Sequence, residues 1–355
     1  MRQPKKILVA PLNWGLGHAT RCIPIIHELL LQGARVFLAS DGRALDLLRK
    51  EFPNLPYFEL PGYGVSYPSK NILINVGRSF PRLLFAVVKE HRMVDKIIQQ
   101  HAIDGVISDN RMGCFSKNIP SVFITHQINL IIPSAFLQWL GRRLNYFFIN
   151  KYTACWIPDV AKEPNLSGIL SHDTPIHDAT FLGALSRMEN FKVDKKYDVV
   201  AVLSGPEPQR TNLEKMLISQ AKKLPYRFLI VQGKTEIQEH FTIGDNIEVV
   251  SFLTSQSLNE AILAGDLYIG RTGYSSIMDL VKLGKPALLI PTPGQTEQEY
   301  LGNLFIENGV FQIQSQETVN LERGIVDALK KGNLHGHFFD NGKMKHTINC
   351  FLETC

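Results

Sequence analysis

Residues 265–280 read GDLYIGRTGYSSIMDL, and this stretch shows the unit from which the chain is built. The apolar run that ends at Gly270 predicts a buried strand, and the small residues after it predict a tight loop. A helix then begins at about Ser275 and stops at Gly284. The same strand–loop–helix pattern recurs from end to end. Short apolar strands separated by helices predict an α/β fold with parallel sheets covered on both faces.

The predicted strands fall into two groups, and a segment rich in Pro, Gly, Ser and Asp joins them at 161–181. The first group covers residues 7–11, 34–39, 55–60, 105–108 and 122–125, and the second covers 198–203, 228–231, 247–250, 267–269 and 287–290. A length of 355 residues fits two domains. We predict two Rossmann-like parallel-sheet domains facing a cleft, at 1–170 and 171–340. We expect a C-terminal helix at 341–355 to pack back on the first domain.

The composition excludes several classes of protein. With 45% hydrophobic residues the chain is not disordered, and a net charge of +5 is too small for a nucleic-acid-binding surface. The five cysteines are scattered and form no CxxC pair. This argues against a zinc site or a disulfide framework and favours a cytoplasmic location. No window of 18 uncharged apolar residues exists, so we expect no membrane-spanning helix.

The first strand leads into a glycine-containing loop, PLNWGLGHATR, at residues 11–21. A ligand can approach glycines closely, and the free N–H groups of the next helix favour an anion. The loop matches a dinucleotide fingerprint incompletely, because Thr20 replaces its third glycine. His18 at the helix start is a candidate general base, or else a capping or packing residue. Asp109 follows another strand and either orients His18 or caps a helix from about Met112.

The segment quoted first carries a second set of polar residues. Arg271, backbone N–H groups and two hydroxyls can converge on a pyrophosphate. Asp279 lies one turn into the helix, where its carboxylate can accept both hydroxyls of a ribose. A polar loop at 291–298 follows the next strand. The alternative is an ordinary strand–helix unit with a capped helix.

These stretches resemble the motifs of GT-B glycosyltransferases of family 28, the MurG-like enzymes, over most of the chain. Residues 15–18, followed by Pro24, are similar to the GGxGGHxxP loop, and 125–129 are similar to the HEQN segment. Residues 271–279 are similar to S-R-x-G-x-x-T-x-x-E, 285–291 to GxPxxxIP, and 298–303 to Q-x-N. Trp14 replaces a glycine, Asp279 replaces a glutamate, and Asn303 is further from Gln298 than the family pattern expects. The GGSxG phosphate loop is replaced by 204–210, where two prolines remove amide donors and Arg210 is expected to restore positive charge.

The resemblance implies an inverting glycosyltransferase. Such an enzyme moves a sugar, for example N-acetylglucosamine, from a UDP-sugar to an acceptor hydroxyl, which in this family is lipid-linked. The first domain then takes the acceptor and the second takes the nucleotide-sugar. The UDP-sugar is a substrate, so no cofactor is implied. No DxD motif ends a strand, so we expect helix N-termini and Arg271, rather than a metal, to stabilise the leaving diphosphate.

The resemblance also assigns the candidate site residues. His18 is the expected base, with Asp109 as its orienter and His126 as the alternative base. The donor-binding residues are expected to be Ser204, Gly205, Arg210, Phe252, Leu253, Arg271, Thr272, Gly273, Tyr274, Ser275, Ser276, Asp279, Gln298 and Asn303. The acceptor or phosphate loop is expected to include Asn13, Gly15, Gly17, Gln127 and Asn129.

Three other functions remain open at this point. A sugar-nucleotide epimerase would use the same fold without an acceptor. A non-catalytic nucleotide-sugar-binding module would keep Arg271 and Asp279 but would not need His18. An NAD-dependent dehydrogenase is disfavoured by Thr20.

A predicted helix at 133–151 bears on the acceptor. It combines apolar and aromatic residues with Arg142 and Arg143. Such a helix either buries its aromatic residues in the core or exposes some of them for peripheral contact with an anionic membrane, on the inner face of the plasma membrane.

Overall fold

The computed structural model describes residues 3–63, 72–132, 134–172, 176, 179–331 and 338–355, without the side chains of 72–80 and 341. Two compact units make up the chain. The first comprises residues 1–14, 18–185 and 340–355, and the second comprises 186–339 with the tripeptide 15–17. Each unit holds a seven-stranded sheet. The predicted class, two parallel-sheet α/β units, is confirmed.

The sheet of the first unit is parallel throughout, in the order β3-β2-β1-β4-β5-β6-β7. Its strands are β1 (Lys6–Pro11), β2 (Arg35–Ser40), β3 (Tyr57–Glu59), β4 (Gly105–Asp109), β5 (Ser121–Ile124), β6 (Ala154–Ile157) and β7 (Ala179–Phe181). The helices between them are α1 (Gly17–Leu31), α2 (Gly42–Glu51), α3 (Ile72–His101) and α4 (Ala135–Ile149). Because β7 completes this sheet, the first unit runs to Leu185, beyond the boundary at 170 that the sequence suggested.

The sheet of the second unit has the order β10-β11-β9-β8-β12-β13-β14, and its edge strand β10 is antiparallel to β11. Its strands are β8 (Tyr197–Val202), β9 (Phe228–Val231), β10 (His240–Ile243), β11 (Ile247–Val250), β12 (Gly265–Gly270), β13 (Ala287–Leu289) and β14 (Gln312–Ile313). The helices are α5 (Gln209–Ala221), α6 (Ser255–Ala264), α7 (Tyr274–Leu283), α8 (Thr296–Glu307) and α9 (Leu321–Leu329). The predicted stop at Gly284 is confirmed, since this residue caps α7 in the left-handed conformation.

The last helix, α10 (Asn341–Thr354), belongs to the first unit. Phe351 packs edge-on against Trp156, with ring centroids 5.7 Å apart. Gly105 opens β4 directly beneath this contact. A Cβ atom at Gly105 would lie 2.7 Å from the Phe351 ring, so only glycine allows α10 to approach this closely.

Strand register brings the candidate site residues to the carboxyl edges of the two sheets. In the first unit, β1 pairs with β4 so that Pro11 lies opposite Asp109. In the second unit, Gly270 lies opposite both Val202 and Leu289. The loops that follow β8, β12 and β13 therefore start side by side, where parallel α/β sheets bind their ligands.

Candidate functional site

Four polar side chains meet at the carboxyl edge of the first sheet. His18 lies in the first turn of α1, and its Nδ1 is 2.7 Å from Asp109 Oδ1 at the end of β4. Arg21, one helical turn later, donates from Nε and Nη2 to both oxygens of Asp109. Its Nη1 lies 2.8 Å from Nδ1 of His126, which follows β5. The structure thus brings the predicted base, its predicted orienter and the alternative base together.

The negative charge of Asp109 is balanced by neighbouring side chains of the same cluster. Asp109 is fully buried, and His18 is 14% exposed. Burial raises the pKa of the Asp109 carboxyl, but the charges of Arg21 and His18 outweigh it and hold that pKa below its usual range. Burial and then the charge of Arg21 lower the pKa of His18, against the opposing effect of Asp109. His18 is therefore neutral at neutral pH and has the protonation state that a general base requires.

The alternative role for Asp109 as a helix cap is wrong. Residues 110–113 form a bend and a turn, and no helix begins at Met112. Asn110 lies in the left-handed region with φ 57°, so the chain leaves β4 sharply. Arg21 was not predicted. The sequence could have indicated it, because Arg21 lies three residues after His18 on a predicted helix and residues at that spacing share one helix face.

The loop after β1 is held by hydrogen bonds within the first unit. Asn13 donates from Nδ2 to Asp41 and accepts at Oδ1 from the backbone N–H of Ala44. It thereby satisfies a free N–H group in the first turn of α2. The Asp41 carboxylate does not cap that helix, because it accepts from the buried Arg111 at 2.7 Å. Gly15 is exposed with φ 76°, which favours glycine.

Of the two polar residues predicted after His126, Asn129 has a structural role. It donates from Nδ2 to the carbonyls of Ile169 and His172 and accepts from the Tyr146 hydroxyl. Both amide hydrogens and the oxygen of its buried side chain therefore form hydrogen bonds within the fold. Gln127 is half-buried.

The second unit contains two unpaired donors, on Arg271 and Thr292, beside Gly205; we call these three residues the anion cradle. Arg271 Nε and Thr292 Oγ1 are buried, and neither atom has a hydrogen-bond partner among the described residues. A Cβ atom at Gly205 would lie 3.4 Å from Thr292 Oγ1 and 3.9 Å from Arg271 Nε. The absence of a side chain at Gly205, where φ is 102°, therefore leaves this space open.

Arg271 also holds the surrounding loops together. Its Nη1 donates to the carbonyls of Ile290 and Pro291, and its Nη2 donates to the carbonyl of Gln209. No carboxylate pairs with it within the part of the chain that the structure describes. Burial lowers its pKa to about 10, so it keeps its charge at neutral pH. Buried charge without a counter-ion is costly, which makes this cluster a candidate anion site.

Arg210 does not supply the positive charge that the sequence suggested for this loop. It is buried at the start of α5, with Nε 2.6 Å from Glu207 and Nη1 2.6 Å from Glu214. Two carboxylates offset its charge and occupy its donors, so it stabilises the start of the helix instead.

Asp279 lies on α7, as predicted, and it accepts a hydrogen bond from the Ser186 hydroxyl at 2.6 Å. Desolvation raises its pKa to about 6, although the charge of Arg187 and the bond from Ser186 act in the opposite direction. Ser186 was not predicted. A carboxylate with a raised pKa and spare acceptor capacity is a candidate binding group.

The other predicted donor-binding residues divide by exposure. Ser204 and Asn303 are exposed, Tyr274 and Thr272 are buried, and Phe252, Leu253, Gly273, Ser275, Ser276 and Gln298 are half-buried. Thr272 and Gln298 tie two loops together, because the Thr272 hydroxyl donates to the Gln298 carbonyl and Gln298 Oε1 accepts from Thr292 N–H. Gln298 and Asn303 do not form a pair on one helix face, since five residues turn a helix by about 140°.

Comparison with known proteins finds similarity to glycosyltransferases. Residues 206–349 match the model of the glycosyltransferase family 28 C-terminal domain. A Methanosarcina mazei protein named uncharacterized glycosyltransferase is 23% identical over 344 residues, covering 88% of this chain and 86% of that protein. A Pasteurella multocida protein, named UDP-N-acetylglucosamine--N-acetylmuramyl-(pentapeptide) pyrophosphoryl-undecaprenol N-acetylglucosamine transferase, is 21% identical, covering 90% of this chain and 87% of that protein. The crystal structure of Acinetobacter baumannii MurG matches with a TM-score of 0.55 and 14% identity, covering 99% of this chain and all of that one.

The chain is a glycosyltransferase that carries a family 28 C-terminal domain at residues 206–349 and is similar to MurG-like enzymes over most of its length. The predicted resemblance, fold class and enzyme class are therefore confirmed.

Helix α4 of this glycosyltransferase begins at Ala135; the predicted first residue, Pro133, lies outside the described residues. The aromatic residues of the helix are not all buried. Phe136 is 66% exposed, Trp139 52% and Phe147 57%. Of the two alternatives for this helix, the one in which its aromatic residues are buried in the core is wrong.

Two absences hold for the residues that the structure describes. No helix there is long and apolar enough to cross a membrane. No group of three or more His, Cys, Asp or Glu side chains there could hold a metal ion.

Proposed function

We propose that this glycosyltransferase moves a sugar from a UDP-sugar to an acceptor hydroxyl with inversion at the anomeric carbon. The observation that carries the proposal is the hydrogen bond between His18 Nδ1 and the buried carboxylate of Asp109. A neutral histidine oriented by a carboxylate can remove the proton of the acceptor hydroxyl as that oxygen attacks the sugar. A single displacement by this oxygen inverts the configuration.

The second unit supplies what the leaving group needs. The anion cradle offers two unpaired donors, one of them on a charged guanidinium, and a diphosphate oxygen would accept from both. The Asp279 carboxylate is the group proposed to accept the two ribose hydroxyls. The names of the Pasteurella relative and three other relatives specify UDP-N-acetylglucosamine. We propose the same donor for this chain.

The acceptor is proposed to be lipid-linked, with the enzyme peripheral on the cytoplasmic face of the membrane. Exposed aromatic residues of α4 lie beside cations: Arg143 over the Trp139 ring at 5.1 Å, and Lys151 over the Phe147 ring at 4.5 Å. An apolar surface fringed by cations fits an interface with anionic lipid. The same relatives are named for a pyrophosphoryl-undecaprenol acceptor.

One assay tests the proposal. The protein is incubated with UDP-N-acetylglucosamine alone, with a soluble sugar acceptor, or with an undecaprenyl-diphosphate-linked sugar, and UDP and sugar products are measured. UDP release that requires the lipid-linked acceptor supports the proposal. Release of an epimerised sugar without acceptor, or no turnover with any acceptor, contradicts it. His18→Ala is the matched inactive variant.

A further inference from the structure

Arg21 contacts every other member of the first-unit cluster. Its side chain is buried, and both Asp109 oxygens accept from its Nε and Nη2. Its Nη1 and Nη2 each lie 2.8 Å from a histidine Nδ1, that of His126 and that of His18 respectively. One planar, rigid group therefore sets the hydrogen-bonding surroundings of both histidines.

The contact with Arg21 determines which ring nitrogen of His126 carries the hydrogen. A guanidinium carries only donors and does not lose its proton in proteins. Nδ1 of His126 must therefore accept from Arg21 Nη1. In a neutral imidazole the other nitrogen then carries the hydrogen, so Nε2 of His126 is a donor.

In His18 the hydrogen lies on the other ring nitrogen, Nδ1. Its Nδ1 lies 2.7 Å from Asp109 Oδ1, and an ionised carboxylate can only accept. Two lone pairs at this distance would repel, so a proton lies on Nδ1 and points at Asp109. Arg21 Nη2 donates to the same carboxylate oxygen, which is a stronger acceptor than an imidazole nitrogen. The lone pair of His18 is then on Nε2.

We propose that Arg21 is a positioning residue that fixes opposite tautomers on the two histidines, so that Nε2 of His18 is a base and Nε2 of His126 is a hydrogen-bond donor. The inference rests on the proposed role of His18 in removing the acceptor proton. It gives His126 a different task from the one that the sequence suggested. With its hydrogen on Nε2, His126 cannot act as a second base.

Arg21 also sets the charge around His18. The charged or titratable groups that face His18 are Arg21 on its own helix, Asp109 on β4 and His126 after β5; the amide of Asn110 lies 3.5 Å away. Arg21 and Asp109 offset each other. Without Arg21 the Asp109 carboxylate would act on His18 alone and would favour the protonated imidazole.

The tautomers can be read directly by NMR on the protein labelled with ¹⁵N-histidine, because protonated and unprotonated ring nitrogens differ in ¹⁵N shift. His18→Gln and His126→Gln assign the two rings. We expect the unprotonated nitrogen to be Nε2 in His18 and Nδ1 in His126. The same tautomer in both rings overturns the proposal. No substrate is needed, so this result is separate from the turnover assay that tests the proposed function.

Two variants test the effect of charge. In Arg21→Met the midpoint of the His18 titration should rise by about 1–2 pH units. Arg21→Lys keeps the charge but loses the planar fork, so it should leave that midpoint nearly unchanged while relaxing the His126 tautomer. Arg35→Met, at an exposed position of the same unit, is the control. An unchanged midpoint in folded Arg21→Met overturns the proposal. If that variant does not fold, the wild-type and Arg21→Lys spectra still decide.

Discussion

Replacing Asp279 by Asn should weaken UDP binding and stabilise the unliganded protein at the same time. The two ribose hydroxyls can both donate to a carboxylate, whereas an amide offers one acceptor oxygen and two donors. A hydrogen bond to a charged group is worth roughly 1.5–3 kcal/mol, which corresponds to about a 10- to 150-fold loss of affinity.

The pH dependence follows from the raised pKa of Asp279, about 6. UDP affinity in the wild type should fall as the pH drops through 6, because a protonated carboxyl loses acceptor capacity. The stability of the free protein changes in the opposite direction: the contribution of Asp279 to it becomes more favourable as the pH falls. The folded pKa lies above the ordinary 3.8, so the carboxyl costs its full amount of stability above pH 6, and this cost disappears only below pH 3.8, where the unfolded chain is protonated as well. Asp279→Asn should therefore raise the melting temperature of the free protein at pH 7.5 and raise it by a smaller amount at pH 5.

Calorimetry of UDP and uridine at pH 5, 6, 7 and 8 measures both effects, with thermal melts of the same samples. Glu322→Gln removes an exposed carboxylate from the same unit and serves as the control. UDP affinity that is equal in Asp279→Asn and wild type at pH 7.5 would refute the assignment of the ribose to this carboxylate. A melting temperature unchanged by the substitution would refute the claim that its desolvation is costly.

Four further outcomes are expected. Thr292→Val should weaken UDP by about 3- to 10-fold and leave uridine unchanged, because it removes one donor to a diphosphate oxygen; equal losses for both ligands would place Thr292 away from the diphosphate. His18→Ala should lower turnover by about 10²–10⁴ with little change in UDP affinity, and wild-type turnover in this variant would make His18 structural. Excess EDTA should leave activity intact, and an activity lost to EDTA and restored by Mg²⁺ or Mn²⁺ would contradict a metal-independent mechanism. Trp139→Ser combined with Arg143→Glu should abolish co-sedimentation with anionic vesicles; equal binding by variant and wild type would argue against a membrane role for α4.

The sequence predicted the fold well where strands are buried on both faces. The strand at 228–231 agrees with the structure at both ends, since a continuous apolar run leaves little ambiguity. The strand at 247–250 also agrees at both ends, although Glu248 interrupts its apolar residues and one of its faces is only half-buried. The sequence missed the short strands β6, β7, β10 and β14. Strand β10 is an exposed edge whose mixed sequence gives no alternation, and β14 has only two residues. Such strands depend on their partners in the sheet, which a local pattern does not show.

The sequence predicted several residues of the candidate site but not the residues that they contact. His18, Asp109 and His126 come together because β1, β4 and β5 are adjacent, and a parallel sheet brings their ends to one edge. The sequence could not show that Arg210 is neutralised by Glu207 and Glu214, since a basic residue in a phosphate loop looks available until its neighbours are known. Thr292 was missed for a similar reason. Its importance lies in an unsatisfied hydroxyl, which depends on packing alone.

Arg21 in the first unit and Arg271 in the second are both buried, but different groups balance their charges. This difference suits the proposed chemistry. Arg21 is paired with Asp109, so the first unit surrounds His18 with little net charge and leaves it neutral before reaction. Arg271 is bound mainly to carbonyl oxygens, and its lowered pKa shows the cost of keeping that charge in a desolvated place. A bound diphosphate would relieve this cost. In the proposed reaction, the positive charge of Arg271 would therefore be in place before the donor binds, and little reorganisation would be needed when the sugar–phosphate bond breaks.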